Sequence, residues 1–226
     1  DPPGISGSSA CYRPEKTICL PARMYNADSM TQVEIDQVVS DFAQAACRVK
    51  EAGYDGVEIH SAHGYLLNQF YSPLSNKRDD VYTGSTLEGR MRLHREVIAA
   101  VREVVGPDFV VALRLGACDY QEGGSTVDDA VAAAKILELA GIDLLDISGG
   151  LCGYRGNGSK EPGYFGVESK AIREAVSVPV ILTGGVRDGQ STERLLEEGK
   201  ADLIGVGRSV LKDSLWAKKA FEELGI

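Results

Sequence analysis

His60 and His63 stand three residues apart in EIHSAHGYLLNQF, with Tyr65 two positions further on. Histidine is a common metal ligand, but the helical H-E-x-x-H form needs an i, i+4 pair with a glutamate between. Here the spacing is i, i+3 at the end of an apolar run, and no third ligand of matching spacing is visible. A second reading has both rings capping loop carbonyls. A third has two neutral imidazoles donating to one oxygen and stabilising negative charge on it, as an oxyanion hole does. A nearby phenol, Tyr65, could then deliver a proton. His94, the third histidine of the chain, falls inside a predicted helix and reads as a surface or packing residue.

A second set of residues could hold phosphate. ILTGGVRDG (181–189) and GVGRSVL (205–211) each run from strand to glycine to basic residue. Gly184, Gly185 and Gly207 would let backbone N–H groups approach an anion, and Arg208 would supply charge. Glycine also serves tight turns for steric reasons alone. Neither G-x-G-x-x-G nor a Walker lysine motif occurs, which argues against a Rossmann dinucleotide or a P-loop nucleotide.

The elements that must position these residues alternate. Residues 1–27 carry prolines and glycines without apolar periodicity and read as loop. A helix starts near Thr31, where Glu34 would complete a capping box, and Ile35, Val38, Val39, Phe42, Ala46 and Val49 share one face before Gly53 ends it. GVEIH is a short strand followed by a long polar loop, then a helix over 87–105. Strands are predicted at 109–115, 143–149, 178–184 and 201–207, and helices at 127–140, 167–176, 191–199 and 215–224. The apolar strands imply a parallel sheet covered by helices. His60, Arg114, Asp119, Ser148, Thr183 and the glycine turns all lie at strand C-terminal ends, where barrels and open sheets alike place ligands. Five strands fall short of the eight of a (β/α)8 barrel.

The chain has 226 residues, 43% hydrophobic and 25% charged, with 24 basic against 33 acidic side chains and a net charge of -9. That is ordinary globular composition, with no basic stripe for nucleic acid. No apolar run approaches the roughly 20 residues of a membrane span, and DPPGISGSSA lacks the pattern of a signal peptide. A cytoplasmic protein is expected. Cys11, Cys19, Cys47, Cys118 and Cys152 form no C-x-x-C pair and read as reduced thiols, with Cys118 and Cys152 either lining a site or packing as small hydrophobes.

EIHSAHGYLLNQFYSPLSNKRDDVYTGS, followed by LEGRMRLHREVIAAV, closely resembles the old yellow enzyme family of FMN-dependent NAD(P)H:flavin oxidoreductases and ene-reductases. The likeness extends through ILTGGVRDG and DLIGVGRSVLKDSLWAK and covers residues 24 to about 220. It implies a TIM (β/α)8-type barrel, incomplete here: about five βα units, strands 4 to 8 of the family barrel, in a single FMN-binding domain. The sequence then starts near the loop after the third strand, and the sheet edges are expected to self-associate or to pair with the missing N-terminal barrel strands.

The resemblance implies that His60 and His63 bind the carbonyl or nitro oxygen of an activated alkene, and that Tyr65 is the proton donor. Arg114 would contact the flavin ring. Gly184, Gly185, Gly207 and Arg208 would hold the FMN phosphate, with Ser148 and Gly149 on the same rim. The implied mechanism is ping-pong: NAD(P)H reduces FMN and leaves, and the reduced flavin passes hydride to the alkene. Two loop motifs depart from the family pattern, Tyr82-Thr83-Gly84-Ser85 for Y-G-G-S and Glu88-Gly89-Arg90 for E-N-R. Long members also carry a cysteine-rich iron–sulfur segment after the last helix, and the residues up to Ile226 show none.

Overall fold

A computed structural model describes residues 29–225 apart from 157. The loop expected over 1–27, with Cys11 and Cys19, lies outside the described residues. Helix α1 (Gln32–Glu51) begins at Thr31, whose hydroxyl accepts from the Glu34 N–H at 3.3 Å while the Glu34 carboxylate accepts from the Thr31 N–H at 2.7 Å. The expected capping box is therefore formed, and it satisfies donors that the first helical turn would leave orphaned.

Strand β1 (Gly56–Ser61) follows, then α2 (Leu66–Tyr71), α3 (Leu87–Val105), β2 (Val110–Gly116), α4 (Val127–Ala140), β3 (Leu144–Ser148), α5 (Gly166–Arg173), β4 (Val180–Leu182), α6 (Gly189–Glu197), β5 (Leu203–Ile204), α7 (Arg208–Lys212) and α8 (Trp216–Leu224). All five strands are parallel and lie in sequence order. A doubly wound sheet reverses its strand order, whereas a barrel wall never does. The fold is thus an α/β arc of the barrel type.

Register fixes which side chains meet. His60 is level with Arg114, Arg114 with Asp146, and Asp146 with Ile181. Successive strand residues point to opposite faces. Ile59, Val111, Leu113, Leu115, Leu145, Ile147, Val180 and Leu182 are buried on the helix-covered face. The other face, a barrel's interior, carries Glu58, His60, Arg114, Asp146 and Ser148.

Three expectations change. The "long polar loop" after β1 contains α2 and is largely buried, with Leu67, Asn68, Gln69, Phe70 and Tyr71 all inside. With five of its six residues buried, α2 has no polar and apolar faces to alternate. Strands β4 and β5 are shorter than predicted because pairing stops where the glycine turns begin, and α7 is a five-residue helix that no periodicity announced.

Candidate active site

The H-x-x-H-G-Y segment leaves β1 as a tight turn. His63 has φ +61 and Gly64 φ +78, a left-handed pair that needs support at the non-glycine position. That support comes from α2: the Asn68 amide oxygen accepts from the Gly64 N–H at 2.7 Å, and Gln69 Nε2 donates to the Gly64 carbonyl at 2.8 Å. Both faces of the Gly64 backbone are held by side chains one turn downstream. The His63 N–H donates to the Gly149 carbonyl at 3.1 Å, and His63 Nε2 shares a 2.6 Å hydrogen bond with Ser148 Oγ.

These contacts bring the expected trio together. The His60 ring lies 5.2 Å from that of His63 and 5.1 Å from that of Tyr65, centroid to centroid. Burial holds the His63 imidazolium down to about 4, and neighbouring His60 and Arg114 add to it; His60 is also lowered, by burial and then by Arg114. Both rings are therefore neutral at pH 7 and keep one N–H each.

Arg114 is level with His60 and engages two carboxylates: Nε donates to Asp146 Oδ2 at 2.7 Å, Nη2 reaches the same oxygen, and Glu58 Oε1 lies 3.4 Å away. Beyond the edge of β1, Met30, Val38, Phe42 and Leu66 border a cleft of about 540 Å³ that reaches His60 and Tyr65.

The glycine turns form a second cluster at the ends of β4 and β5. Gly184 has φ +112 and Gly185 φ +73, and a Cβ at Gly184 would fall 2.7 Å from the Tyr164 ring, so both positions require glycine. Among the described residues the N–H groups of Gly184, Gly185, Gly207 and Arg208 have no acceptor, which leaves four donors for an anion. Arg208 donates to the Tyr164 hydroxyl at 3.0 Å and lies over the Tyr154 ring at 5.6 Å. Tyr154 in turn meets the His63 ring edge-on at 6.3 Å, so one aromatic residue touches both clusters. These turns and the partly open Arg114 edge fit a cofactor that bears a phosphate and an electron-accepting ring.

Sequence reasoning placed Ser148 and Gly149 on a cofactor rim; the structure ties both to His63. A Cβ on Gly149 would lie 2.1 Å from the Gly153 carbonyl. Asp146, Tyr154 and Tyr164 were missed, although an aspartate inside the apolar DLLDISG strand, two positions from Ser148, was a readable signal. His94 is fully buried and bonds Ser61 at 2.6 Å, a packing role. Cys118 and Cys152 are half-buried, Cys152 Sγ donates to the Cys118 carbonyl at 3.5 Å, and burial pushes the Cys118 thiol up. No cluster of three metal-binding side chains occurs among the described residues.

The loop S-P-L-S-N-x-R-x-D is a brace behind this site. Asn76 Nδ2 donates to the Phe70 and Tyr82 carbonyls at 2.8 and 2.9 Å, and Arg78 pairs with Asp80 at 2.5 Å while donating to the Met30 carbonyl.

A model of the NADH:flavin oxidoreductase / NADH oxidase family matches residues 4–225. The NADPH dehydrogenase of Bacillus licheniformis is 44% identical over 196 residues, which are 86% of this chain and 56% of that protein. The NADPH dehydrogenase of Halalkalibacterium halodurans is 41% identical, over 90% and 59%. The NADH oxidase of Thermoanaerobacter brockii is 39% identical, over 85% and 30%. Among solved structures, morphinone reductase in complex with tetrahydroNAD superposes with a TM-score of 0.71 at 28% identity, over 89% of this chain and 52% of that one. A 2-naphthoyl-CoA reductase complex gives 0.82 at 27% identity, over 97% and 33%. The chain thus spans between 30% and 59% of the length of these three relatives.

Proposed function

Because this chain belongs to the NADH:flavin oxidoreductase / NADH oxidase family, an oxidoreductase family that uses FMN and NAD(P)H, we propose that its site reduces activated alkenes. The observation that carries this is the neutral His60 and His63 pair, 5.2 Å apart, with the Tyr65 phenol ring 5.1 Å from His60. Two imidazole N–H groups bind a carbonyl or nitro oxygen and favour the charge that builds on it during reduction. Ser148 occupies His63 Nε2, so His63 addresses the substrate through Nδ1. Tyr65 gives its proton to the carbon next to the activating group.

When bound, FMN supplies the hydride link between NAD(P)H and the alkene β-carbon. Gly184, Gly185, Gly207 and Arg208 would hold its phosphate, and Arg114 would face its ring, where a cation favours the added electrons. Gly149 shapes the rim and Ser148 orients His63. The domain is an arc of the family barrel, and further strands complete it at the free edges of β1 and β5, since neither outer edge has a partner among the described residues. A cytoplasmic setting fits Cys47 and Cys118, which form no disulfide among the described residues. No helix among the described residues is long and apolar enough to cross a membrane.

The test is the visible spectrum of the purified chain with FMN, followed anaerobically with NADH and NADPH and then with an enone. A flavin band that bleaches and is restored by the enone supports the reading. His60→Ala with His63→Ala should slow only re-oxidation by the enone. Normal alkene turnover in that double variant would sink the proposed carbonyl role. Tyr65→Phe should likewise spare reduction by NAD(P)H, and equal loss in both halves would count against a proton donor.

A further inference from the structure

Asp146 is the most deeply buried charged group on the inner face of the sheet. Its side chain is 3% exposed, against 32% for Arg114 and 36% for Glu58. It sits level with Arg114 in the β2–β3 register, while Glu58, level with Ala112, reaches the guanidinium only diagonally. Arg114 gives Asp146 Oδ2 both Nε and Nη2, while Nη1 has no acceptor among the described residues. Asp146 Oδ1 is buried without a partner. A buried carboxylate held by a single guanidinium is costly to separate from it, so the pair fixes the arginine more firmly than a surface contact could.

Resting on the reading that Arg114 faces the flavin, we propose that Asp146 is the positioning residue for Arg114: it grips one edge of the guanidinium and leaves the Nη1 edge for the ring. The Glu58 carboxylate is a second, looser ion-pair partner at 3.4 Å. The charged or titratable groups facing Asp146 are Glu58 and His60 from β1 and Arg114 from β2, and β4 offers only Ile181 at that level. Burial raises the Asp146 carboxyl above the ordinary carboxylate range, with Arg114 opposing and Glu58 adding to the rise through its charge and a hydrogen bond between the two side chains. The charge beside Arg114 is therefore lost at a higher pH than an ordinary carboxylate would lose it.

The first readout needs no flavin. In the nitrogen-15-labelled full chain, the Arg114 Nε–H gives a resonance protected from solvent exchange. Asp146→Ala is expected to abolish that protection and Glu58→Gln to keep it. Protection unchanged in Asp146→Ala, or lost only in Glu58→Gln, overturns the proposal. Asp146→Asn keeps shape and acceptor oxygen should the alanine variant not fold; it is expected to move the resonance, and an unmoved signal again overturns the proposal.

The second readout is the FMN midpoint potential against pH. Reduction adds negative charge to the flavin, which a neighbouring carboxylate opposes. Asp146→Asn should raise the potential where the carboxylate is ionised, and the difference from the unaltered chain should shrink as pH falls and the carboxyl takes up its proton. A constant difference at every pH argues against Asp146 as the charge beside Arg114. A chain that binds no FMN removes the flavin reading, and the resonance experiment alone then decides whether Asp146 positions Arg114.

Discussion

The Ser148 hydroxyl shows how one side chain settles what a histidine can do. An imidazole has two nitrogens, and the one bonded to Ser148 is not available to a substrate. Ser148→Ala should leave FMN binding unchanged and slow enone reduction about tenfold, a loss of ~1.4 kcal/mol in transition-state binding, measured as the re-oxidation rate. At the same scale, the two departures from the family loop pattern explain each other. A Cβ at Gly89 would lie 2.5 Å from the Thr83 carbonyl oxygen and 2.7 Å from Thr83 Cγ2. The threonine occupies the space a side chain at 89 would need. Gly84 kept its glycine because a Cβ there would meet the Asn76 carbonyl at 2.0 Å. Gly89→Asn is expected to cost about 2 kcal/mol from overpacking, and adding Thr83→Gly should recover part of it in a denaturation double-mutant cycle.

Elements carry the next level of the argument. Helix α3 places His94 against β1, fully buried, where burial lowers its imidazolium to about 4. Its unfolded value is near 6.5, so the unfolded state binds more protons between those limits. Stability from His94 is thus complete above about pH 6.5 and is lost as pH falls towards 4, by roughly 3 kcal/mol in the limit. His63 shifts the same way. The midpoint of urea unfolding should fall over that window, and His94→Gln should flatten the fall. The motif S-P-L-S-N-x-R-x-D was legible as a signature but not as a brace. Its Asn76 side chain ties the end of α2 to Tyr82, and Asn76→Ala should destabilise the chain by about 1–3 kcal/mol through two orphaned carbonyls.

At the scale of the molecule, five parallel strands make an arc with two outer edges unpaired among the described residues. Unpaired strand edges bordering an apolar cleft favour association. Gel filtration of the chain should therefore show a species larger than a 24.2 kDa monomer, and a sharp monomer peak would contradict the free-edge reading. The alternation of strand and helix, the capping box at Thr31 and the glycine turns were all determined by sequence, because period, cap chemistry and turn stereochemistry are local. Proximity of His60, His63 and Tyr65 was local too, within six residues. What only the tertiary structure decided is what lies across strands: Arg114 beside Asp146, 32 residues away, and His63 on Ser148, 85 residues away. Those pairs depend on parallel register, and register is set by helices packing on the far face of the sheet rather than by any spacing along the chain.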